Sequence, residues 1–387
     1  MIKYSRLKIG GDVMANIYLD YAATSRKHFD IIEKNLNILK EIYANPSSGH
    51  TLGKKNAKLA RESREKIANF INATSEEIIF TSGGTESNNT VFNHVLSRFN
   101  SGEVIISSIE HPSVKSSAKH LEKYGFKIHE LDVDETGSIN IDELEEKIND
   151  NTVLISIMLA NNETGVLNPI KEISELIVDK DILLHSDIVQ AFGKVEIDVK
   201  ELGLDFASVS AHKIGSLNNF GFLYAKNGEI EPFILGGGQE RGLRSGTSDL
   251  LGTLVLADCV DETLESISKL RELKNYFLDK LEENQVEFEI NGLKDNSLPN
   301  IMNIYFKKIE SQRLITYLDS LNIYISGGSA CSSGNIKGSR IITEMYNIER
   351  ASHSVRISVG FDITKEDLDF VIDKIVRLEN RLKERDN

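Results

Sequence analysis

"DILLHSDIVQ" (181–190) is a short apolar run that ends on serine and aspartate before a second apolar segment begins. Apolar runs of this length are typical of buried strands, and the carboxyl ends of such strands are where an open α/β sheet binds ligands. Asp187 follows the run directly, so its carboxylate would be partly desolvated and would need a cationic partner. The alternative is that Asp187 caps the next helix.

Similar apolar runs recur on both sides of this stretch and decide the fold class. Segments with apolar residues three and four positions apart separate them, as in 56–71 and 141–148. Strands that alternate with helices predict an α/β fold, with a mostly parallel sheet covered by helices on both faces. The other strands are predicted at 76–80, 102–109, 152–159 and 205–210.

A long helical pattern over 249–284 leads into a second, smaller α/β unit. That unit contains the apolar runs 301–306, 322–326 and 354–361 and a closing helical pattern over 365–385. We therefore predict a large domain over 27–257 and a small domain formed by 1–26 and 258–387. The small domain carries a glycine- and serine-rich loop (326–339). A second possible start at Met14 leads us to expect residues 1–13 to be an upstream extension or a disordered tail.

The composition excludes several classes of protein. The 387 residues carry a formal net charge of −14, which disfavours direct contact with nucleic acid. No uninterrupted apolar run reaches the roughly 18 residues of a membrane span. Two cysteines, Cys259 and Cys331, are too few for a disulfide framework or a four-sulfur metal site. We expect a cytoplasmic protein without a metal centre.

The strand predicted at 76–80 ends on "TSGGTESNN" (81–89). Gly83 and Gly84 would let the backbone approach a ligand closely, and Thr85 lies where the next helix begins. Free N–H groups and a hydroxyl at a helix start form a site for one phosphate. The alternative is an ordinary turn between a strand and a helix.

More polar residues follow the remaining strands: His111, Asn162, and the group Ser210, His212 and Lys213. Each has a structural alternative, such as a hydrogen-bonded histidine, a turn asparagine or a solvated lysine. Together with the glycine turn and the acid, however, they fall at one edge of one sheet. A lysine for a Schiff base, an acid for a pyridinium nitrogen and a helix N-terminus for a phosphate are what pyridoxal 5'-phosphate requires.

The motifs also resemble, in order, those of the cysteine desulfurases of the NifS/IscS type, a branch of the class V aminotransferases with the fold of fold-type I pyridoxal-phosphate enzymes. The similarity extends from Tyr18 to the end of the chain. It rests on these segments: "YLDYAAT" (18–24), "FTSGGTESNN" (80–89), "EH" (110–111), "NNETG" (161–165), "SDIVQAFGK" (186–194), "SAHK" (210–213), "GGGQERGLRSGT" (236–247), "GSACSS" (328–333) and "VRISVG" (355–360).

The resemblance implies a role for each matching residue. Lys213 would hold the cofactor as a Schiff base and move protons, Asp187 would pair with the ring nitrogen, and His111 would stack on the ring and assist proton transfer. Arg356 would bind the substrate carboxylate. Gln190 and Asn162 would contact the phenolic side of the ring, Asn162 would also contact the substrate, and the phosphate would bind Gly84, Thr85, Ser210 and His212.

Two further roles concern partners. Thr247 would reach the phosphate of a neighbouring subunit, which implies a homodimer with shared active sites. A thiolate of Cys331, on an arm that its glycines let move, would take sulfur from L-cysteine as a persulfide, leaving L-alanine. An acceptor protein, either an iron–sulfur scaffold or a tRNA-thiolation enzyme, would then receive the sulfur. The alternative for Cys331 is an incidental surface thiol, and Cys259 fits a small core residue.

The sequence departs from the family pattern in three places. Ile188 and Val189 stand where small or hydroxyl residues are frequent. "SLNN" (216–219) stands where the family shows a Gly-Pro-Lys-Gly-like turn, and the chain stops at Asn387, without the tail with which IscS-like members dock an iron–sulfur scaffold. Other class V activities, such as a selenocysteine lyase or a small-amino-acid aminotransferase, are alternatives, as is a cofactor-binding regulatory protein without turnover.

Overall fold

The computed structural model describes residues 8–9, 12–13, 16–328 and 338–386, with side chains described over 16–328 and 338–384. Cys331 and the arm around it lie outside these ranges, as does most of the segment before Met14. The expectations for those residues are therefore untested. None of the helices in the described ranges is long and apolar enough to cross a membrane.

Fourteen short strands are present in the described residues. They are β1 (Lys8–Ile9), β2 (Asp12–Val13), β3 (Ile17–Tyr18), β4 (Ile78–Thr81), β5 (Glu103–Ser107), β6 (Lys127–Leu131), β7 (Thr152–Ser156), β8 (Leu183–Asp187), β9 (Phe206–Ser210), β10 (Gly221–Ala225), β11 (Phe288–Ile290), β12 (Ile301–Phe306), β13 (Ile323–Tyr324) and β14 (Ser354–Ser358).

The α-helices between the strands range from one turn to 34 residues. They are α1 (Phe29–Glu41), α2 (Thr51–Phe70), α3 (Gly84–Arg98), α4 (Pro112–Leu121), α5 (Ile141–Lys147), α6 (Ile170–Leu176), α7 (Leu250–Glu283), α8 (Ser311–Asp319), α9 (Arg340–Met345), α10 (Ile348–Ser352) and α11 (Lys365–Asp386).

The central sheet has seven strands in the order β4-β10-β9-β8-β7-β5-β6. Five of them are the strands that the apolar runs predict, and the pairs from β9 through β6 are parallel. Only β10 runs antiparallel to its neighbours, β4 and β9. The prediction of a mostly parallel α/β sheet is confirmed. The sequence analysis missed β10 and β6, and β6 is an edge strand whose residues are mostly polar or partly exposed, so it lacks an apolar run.

Helices cover both faces of this sheet. Neighbouring residues of β5 alternate between two apolar clusters: Ile105 belongs to one, and Val104 and Ile106 belong to the other. The first cluster includes residues of α2 and the start of α7, and the second includes residues of α3 and α4. Burial on both faces explains why the central strands read as continuous apolar runs.

A smaller antiparallel sheet, β11-β12-β14, packs with α8 and α11 around a separate apolar cluster. The 34-residue α7 links the two parts of the molecule, because Val255 to Val260 belong to the large cluster whereas Leu270 to Leu281 belong to the small one. The α/β character of both parts agrees with the predicted fold class. The domain boundaries themselves remain a prediction.

The N-terminal segment 17–28 connects the two parts a second time. β3 pairs in parallel with β13 of the small part, and Asp20 forms an isolated bridge with Ser358 at the end of β14. Beyond that point the segment reaches the large part, where the backbone N–H of Ser25 donates to the His212 carbonyl at 3.1 Å. The segment therefore passes between the small sheet and the carboxyl ends of the large one.

Candidate active site

A cavity of about 620 Å³ lies at the carboxyl ends of the parallel strands. Its walls come from the residues that follow β4, β5, β7, β8 and β9, together with segment 22–24 and one residue of β14. Of the predicted site residues that the structure describes, all but Thr247 line it: Gly84, Thr85, His111, Asn162, Asp187, Gln190, Ser210, His212, Lys213 and Arg356. The sheet gathers them because parallel strands end at one edge.

The glycine turn packs tightly against the strand beside it. Gly83 has φ +134°, in the region that favours glycine, and a Cβ there would lie 3.2 Å from Ser210 Oγ. A Cβ on Gly84 would lie 2.8 Å from Val189 Cγ2. Gly84 begins the 15-residue α3, whose first N–H groups have no acceptor within the helix. These amides and the Ser210 hydroxyl suit a phosphate.

Asp187 is a buried carboxylate, 6% exposed, whose hydrogen-bond donors are neutral. Its Oδ1 accepts from the backbone N–H of Val189 at 3.0 Å, and its Oδ2 accepts from Asn88 Nδ2 at 2.9 Å. Within the described ranges, no lysine, arginine or histidine forms a salt bridge with it. A buried acid at a cavity wall with no cationic partner of its own is suited to pair with a cation on a ligand.

The side chain of Lys213 reaches across the cavity wall to the N-terminal segment. Its Nζ donates to the carbonyls of Ala22 at 2.6 Å and Ala23 at 2.9 Å, and Gln190 Nε2 donates to the same Ala22 carbonyl at 3.0 Å. The ammonium group thus lies against carbonyl oxygens of segment 22–24, which lines the same cavity.

The backbone turn that carries Lys213 is held from behind. The Lys213 carbonyl accepts from Ser25 Oγ at 2.7 Å and from Lys194 Nζ at 3.2 Å, and the Ser216 carbonyl accepts from Lys27 Nζ at 2.6 Å. Burial lowers the pKa of Lys194 to about 8. Ser216 is the first residue of the "SLNN" departure from the family pattern, and the side chains that donate to the two carbonyls come from outside that departure.

The pKa of both histidines at the cavity lies below the ordinary value of 6.5. Burial is the main cause that lowers the pKa of His212 to about 3, with the charge of Lys213 acting in the same direction. Burial also lowers the pKa of His111, while the nearby Asp187 raises it and Lys213 lowers it. A neutral imidazole offers one N–H donor, so each ring can still donate to a ligand.

Arg356 is almost fully buried, at 1% exposed, and lies at the cavity wall on β14. Its Nη1 donates to the Asn162 carbonyl at 2.9 Å, and its Nη2 pairs with Asp20 Oδ1 at 2.6 Å. Its Nε has no hydrogen-bond partner in the described part of the protein. Donors therefore remain on this guanidinium for a carboxylate ligand.

The two ends of the cysteine loop are anchored next to these residues. Ser326 exchanges two backbone hydrogen bonds with Arg356, at 2.7 and 3.1 Å. At the other end, Ser339 caps α9 and its hydroxyl donates to Glu163, the neighbour of Asn162. Both roots of the loop thus adjoin the residues predicted to contact the substrate.

A family profile described as "Aminotransferase class-V" matches residues 17–371. The chain belongs to the class-V aminotransferase family. The profile takes in the cavity-lining residues and both anchors of the cysteine loop.

Relatives and solved structures in the family share this architecture over nearly the whole chain. Cysteine desulfurase IscS of Dictyoglomus turgidum is 39% identical, with 95% of each chain covered. Cysteine desulfurase IscS of Clostridium botulinum is 37% identical, also with 95% of each covered. A solved structure titled NifS-like protein superposes with a TM-score of 0.86 at 31% identity, covering 95% of this chain and all of the other.

Class-V aminotransferases and their cysteine desulfurase members depend on pyridoxal 5'-phosphate, and the residues present fit that group. The cavity volume is in the range of cofactor sites. A Cβ on Gly83 or Gly84 would crowd Ser210 or Val189, so the glycines let the backbone amides approach a phosphate, and Asp187 forms no salt bridge with a side chain of the described ranges. Lys213 supplies the amine that a Schiff base requires.

Thr247 does not line the cavity of its own chain and is exposed in the segment 246–249. Its role at a neighbouring subunit therefore remains a prediction. The roles of the residues that do line the cavity, from Gly84 to Arg356, are also predictions, although the fold brings those side chains together.

The sequence analysis missed three residues that bind members of the site: Asp20, Asn88 and Ser113. Asn88 lies one helical turn after Gly84 in α3, so helical spacing could have placed it on the same face. Asp20 had no such signal, because it pairs with Arg356 across 336 positions of sequence. The pair comes together because segment 17–20 pairs with β13 and with the end of β14, the strand that carries Arg356.

Proposed function

We propose that the protein is a cysteine desulfurase, which converts L-cysteine to L-alanine and collects the sulfur as a persulfide on Cys331. One observation carries the proposal: a single cavity gathers an amine, a buried acid, a neutral histidine and a guanidinium, and the loop that contains Cys331 is rooted beside it. The cysteine desulfurase names of the relatives support the same activity.

In this proposal Lys213, Asp187, Ser210 and the α3 amides bind pyridoxal 5'-phosphate. When bound, the cofactor withdraws electrons from the amino-acid substrate and makes its Cα proton acidic. Lys213 would have two tasks: its amine would hold the cofactor, and its Nζ would move a proton at the Cα of the substrate. The carbonyls of Ala22 and Ala23 orient its Nζ.

Arg356 binds and orients the substrate. Its buried guanidinium, held by Asp20 and the Asn162 carbonyl, keeps donors for the carboxylate of L-cysteine. A carboxylate fixed at β14 directs the rest of the amino acid toward the large sheet, where Lys213 and His111 line the same cavity. The thiol side of the substrate is then available to the loop rooted at Ser326.

The sulfur transfer is balanced without an external oxidant. The Cys331 thiolate forms a bond to the sulfur of the substrate, the carbon–sulfur bond breaks, and its electron pair stays on the substrate carbon. A proton at that carbon completes the methyl group of L-alanine. Cys331 lies three residues after Gly328, the last described residue before it, and an extended chain spans at most about 3.6 Å per residue, so the chain lets its Cα lie at most about 11 Å from that of Gly328.

The first test removes the side-chain amine of Lys213, which would attach the cofactor. Lys213→Ala protein loaded with pyridoxal 5'-phosphate is expected to lack the visible absorption band of the wild type and to form no L-alanine, because Lys213 is the only lysine among the described residues that line the cavity. Lys171→Ala, at an exposed surface lysine, is the matched control and keeps both. A band that persists in Lys213→Ala with unchanged circular dichroism would refute the assignment.

Cys331→Ser separates this function from the alternatives in the same family. The variant is expected to keep the cofactor band and its change on adding L-cysteine, but to lose L-alanine formation. An aminotransferase would keep its full rate, and a selenocysteine lyase would keep its cleavage of selenocysteine. A regulatory protein without turnover would form no L-alanine even as the wild type.

We also propose that the protein acts as a homodimer with shared sites, in which Thr247 contacts the phosphate of the neighbouring subunit. In the single chain, the large apolar side chains of Phe233 and Leu235 are exposed just before the segment that leads to Thr247. Exposed apolar residues beside a predicted contact residue support an interface there.

Dimers that combine two different variant subunits test whether the active sites are shared between subunits. Lys213→Ala and Thr247→Ala each impair both sites of their own homodimer. A hybrid with one subunit of each kind contains one intact site only if Thr247 acts across the interface, so mixing is expected to restore activity. A hybrid as inactive as its parents would place Thr247 in its own subunit's site, and a fully active Thr247→Ala homodimer would place it outside catalysis.

The acceptor of the sulfur is an iron–sulfur scaffold or a tRNA-thiolation enzyme in this proposal, and the cytoplasm is its compartment, since a free Cys331 needs reducing conditions. Wild-type protein loaded with labelled L-cysteine is expected to pass label to one of these two acceptors. Label that stays on Cys331 in the presence of both would exclude them.

A further inference from the structure

A continuous hydrogen-bond network joins two of the residues assigned to the cofactor. Asn88 Nδ2 donates to Asp187 Oδ2 at 2.9 Å and to Ser113 Oγ at 2.8 Å. Ser113 Oγ in turn lies 2.7 Å from His111 Nδ1. These four side chains form the Asp187–His111 network. Asn88 and Ser113 have no role in the motifs that the sequence analysis assigned.

The donors and acceptors fix the direction of every bond in the network. A carboxylate has only acceptors, so the amide atom that faces Asp187 must be the nitrogen of Asn88. That nitrogen has a second N–H, which Ser113 Oγ accepts. The one hydrogen of the Ser113 hydroxyl is then left to donate to His111 Nδ1.

A second donor at the same nitrogen confirms this direction. The backbone N–H of Ser113, which can only donate, lies 3.2 Å from His111 Nδ1 as part of the helix cap of α4. Two donors facing Nδ1 require a lone pair on that nitrogen. The ring proton is therefore on Nε2.

We propose that Asn88 and Ser113 are positioning residues, which hold His111 as the Nε2–H tautomer and link its ring to Asp187. His111 then presents an N–H donor, not a lone pair, to the ligand cavity that it lines. Its ring cannot accept a proton at Nε2, and a proton at Nδ1 would displace the two Ser113 donors. The identity of the group that the His111 N–H contacts in the cavity rests on the proposed function. The tautomer itself rests only on the hydrogen bonds of the network.

Burial restricts the Asn88 amide to one orientation in the network. Asn88 is fully buried, and its Oδ1 has no partner in the described residues, so the two N–H groups alone orient the amide. The charged and titratable groups near His111 are Asp187 at the end of β8, Glu110 beside it, and His212 and Lys213 after β9. Burial outweighs the effect of Asp187 on His111, which agrees with a neutral ring.

Nitrogen NMR of the holoenzyme with ¹⁵N-labelled histidine tests the tautomer. The His111 signals are assigned by their absence in His111→Gln. At neutral pH we expect Nδ1 to show the shift of an unprotonated nitrogen and Nε2 that of a protonated one. A protonated Nδ1 would overturn the proposal, whatever the activity of the enzyme.

Three serine variants test the positioning. Ser113→Ala removes one of the two donors to Nδ1 and leaves the backbone N–H, so it is expected to raise the fraction of the Nδ1–H tautomer above that of the wild type. It should lower kcat for L-alanine formation about fivefold to tenfold, the effect of one hydrogen bond, with KM nearly unchanged. Ser113→Thr keeps the hydroxyl and should restore both. Ser117→Ala, one turn later on α4 at a buried serine, is the control and should change neither.

An Asn88→Ala variant tests the other member of the network and should reproduce the Ser113→Ala tautomer change. If both variants leave the tautomer and kcat at wild-type values, the inference fails. If the wild type has the Nε2–H tautomer but forms no L-alanine from L-cysteine, the proposed function fails and the tautomer assignment stands.

Discussion

At the scale of single residues, Asp20 decides how Arg356 meets its ligand. The guanidinium is buried, and Asp20 is its carboxylate partner at 2.6 Å. A charge-assisted bond of this kind fixes the plane of the guanidinium as well as its charge. Asp20 belongs to "YLDYAAT" (18–24), a motif that the sequence analysis quoted without assigning a role to its acid.

Asp20→Ala is expected to raise KM for L-cysteine about tenfold and to leave the cofactor band unchanged, because it removes one charge-assisted bond from the residue that orients the substrate. Asp20→Asn, which keeps an acceptor, should fall between this variant and the wild type. Steady-state kinetics and absorbance of the holoenzyme measure both effects. Asp181→Ala, at an exposed surface ion pair, serves as the control, and an unchanged KM in Asp20→Ala would contradict the prediction.

At the scale of elements, the N-terminal segment 17–28 holds the two parts of the molecule in register around the cavity. Tyr21 in this segment is buried, its hydroxyl donates to Asp362, and its ring packs edge-on against Phe361. The next two residues offer their carbonyls to Lys213. A shift of Tyr21 would therefore move these two carbonyls and change the position of the Lys213 amine.

Gly360→Ala should produce such a shift, because a methyl group there would overlap the Tyr21 ring. Overpacking of this kind costs about 1–3 kcal/mol, so we expect the Tm to fall by several degrees and the cofactor to dissociate faster. Gly49→Ala, where a Cβ meets nothing within 4 Å, is the control. Thermal melts and dialysis of the holoenzyme give both values, and a Gly360→Ala protein as stable as Gly49→Ala would contradict the packing argument.

The elements also show how much of the structure can be predicted from helix and strand patterns in the sequence. The apolar runs predicted five strands of the central sheet, and the end of each was close enough to place the polar residues at its carboxyl edge. The edge strand β6 was missed because only one of its residues is buried. Boundary errors of a few residues do not matter for the site, since the functional residues follow the strands.

At the scale of the whole molecule, burial of titratable groups makes stability depend on pH. Glu110 is 1% exposed; its Oε1 accepts from Ser107 and from the backbone of Met158, and its Oε2 has no partner in the described residues. Burial raises the pKa of Glu110 to about 8 from the ordinary value of 4.5. The folded protein therefore keeps a proton that the unfolded chain releases.

The sign of the effect follows from this difference. Between the unfolded value of 4.5 and the folded value of about 8, the unfolded chain is ionised while the folded one is not, so Glu110 lowers stability as pH rises through this window. Glu110→Gln cannot ionise. We expect its Tm to match the wild type near pH 5 and to exceed it by several degrees near pH 8.

Melting curves of the cofactor-free protein across this pH window check the prediction. Glu145→Gln, at an exposed acid, controls for the loss of one carboxyl group. A Tm difference between Glu110→Gln and the wild type that is the same at both pH values would show that Glu110 is ionised in the folded protein at pH 5 already.

The sequence by itself determined the fold class and the chemical inventory of the site. Alternating apolar runs and helical patterns specify the parallel sheet, and Asp187, Lys213 and His111 come directly after strands, so the topology alone brings them to one edge. Only the tertiary structure decided what each side chain binds there. Asp20 reaches Arg356, and Ser113 meets Asn88, through contacts between separate elements. Such pairings depend on side-chain packing between elements, which local periodicity does not encode.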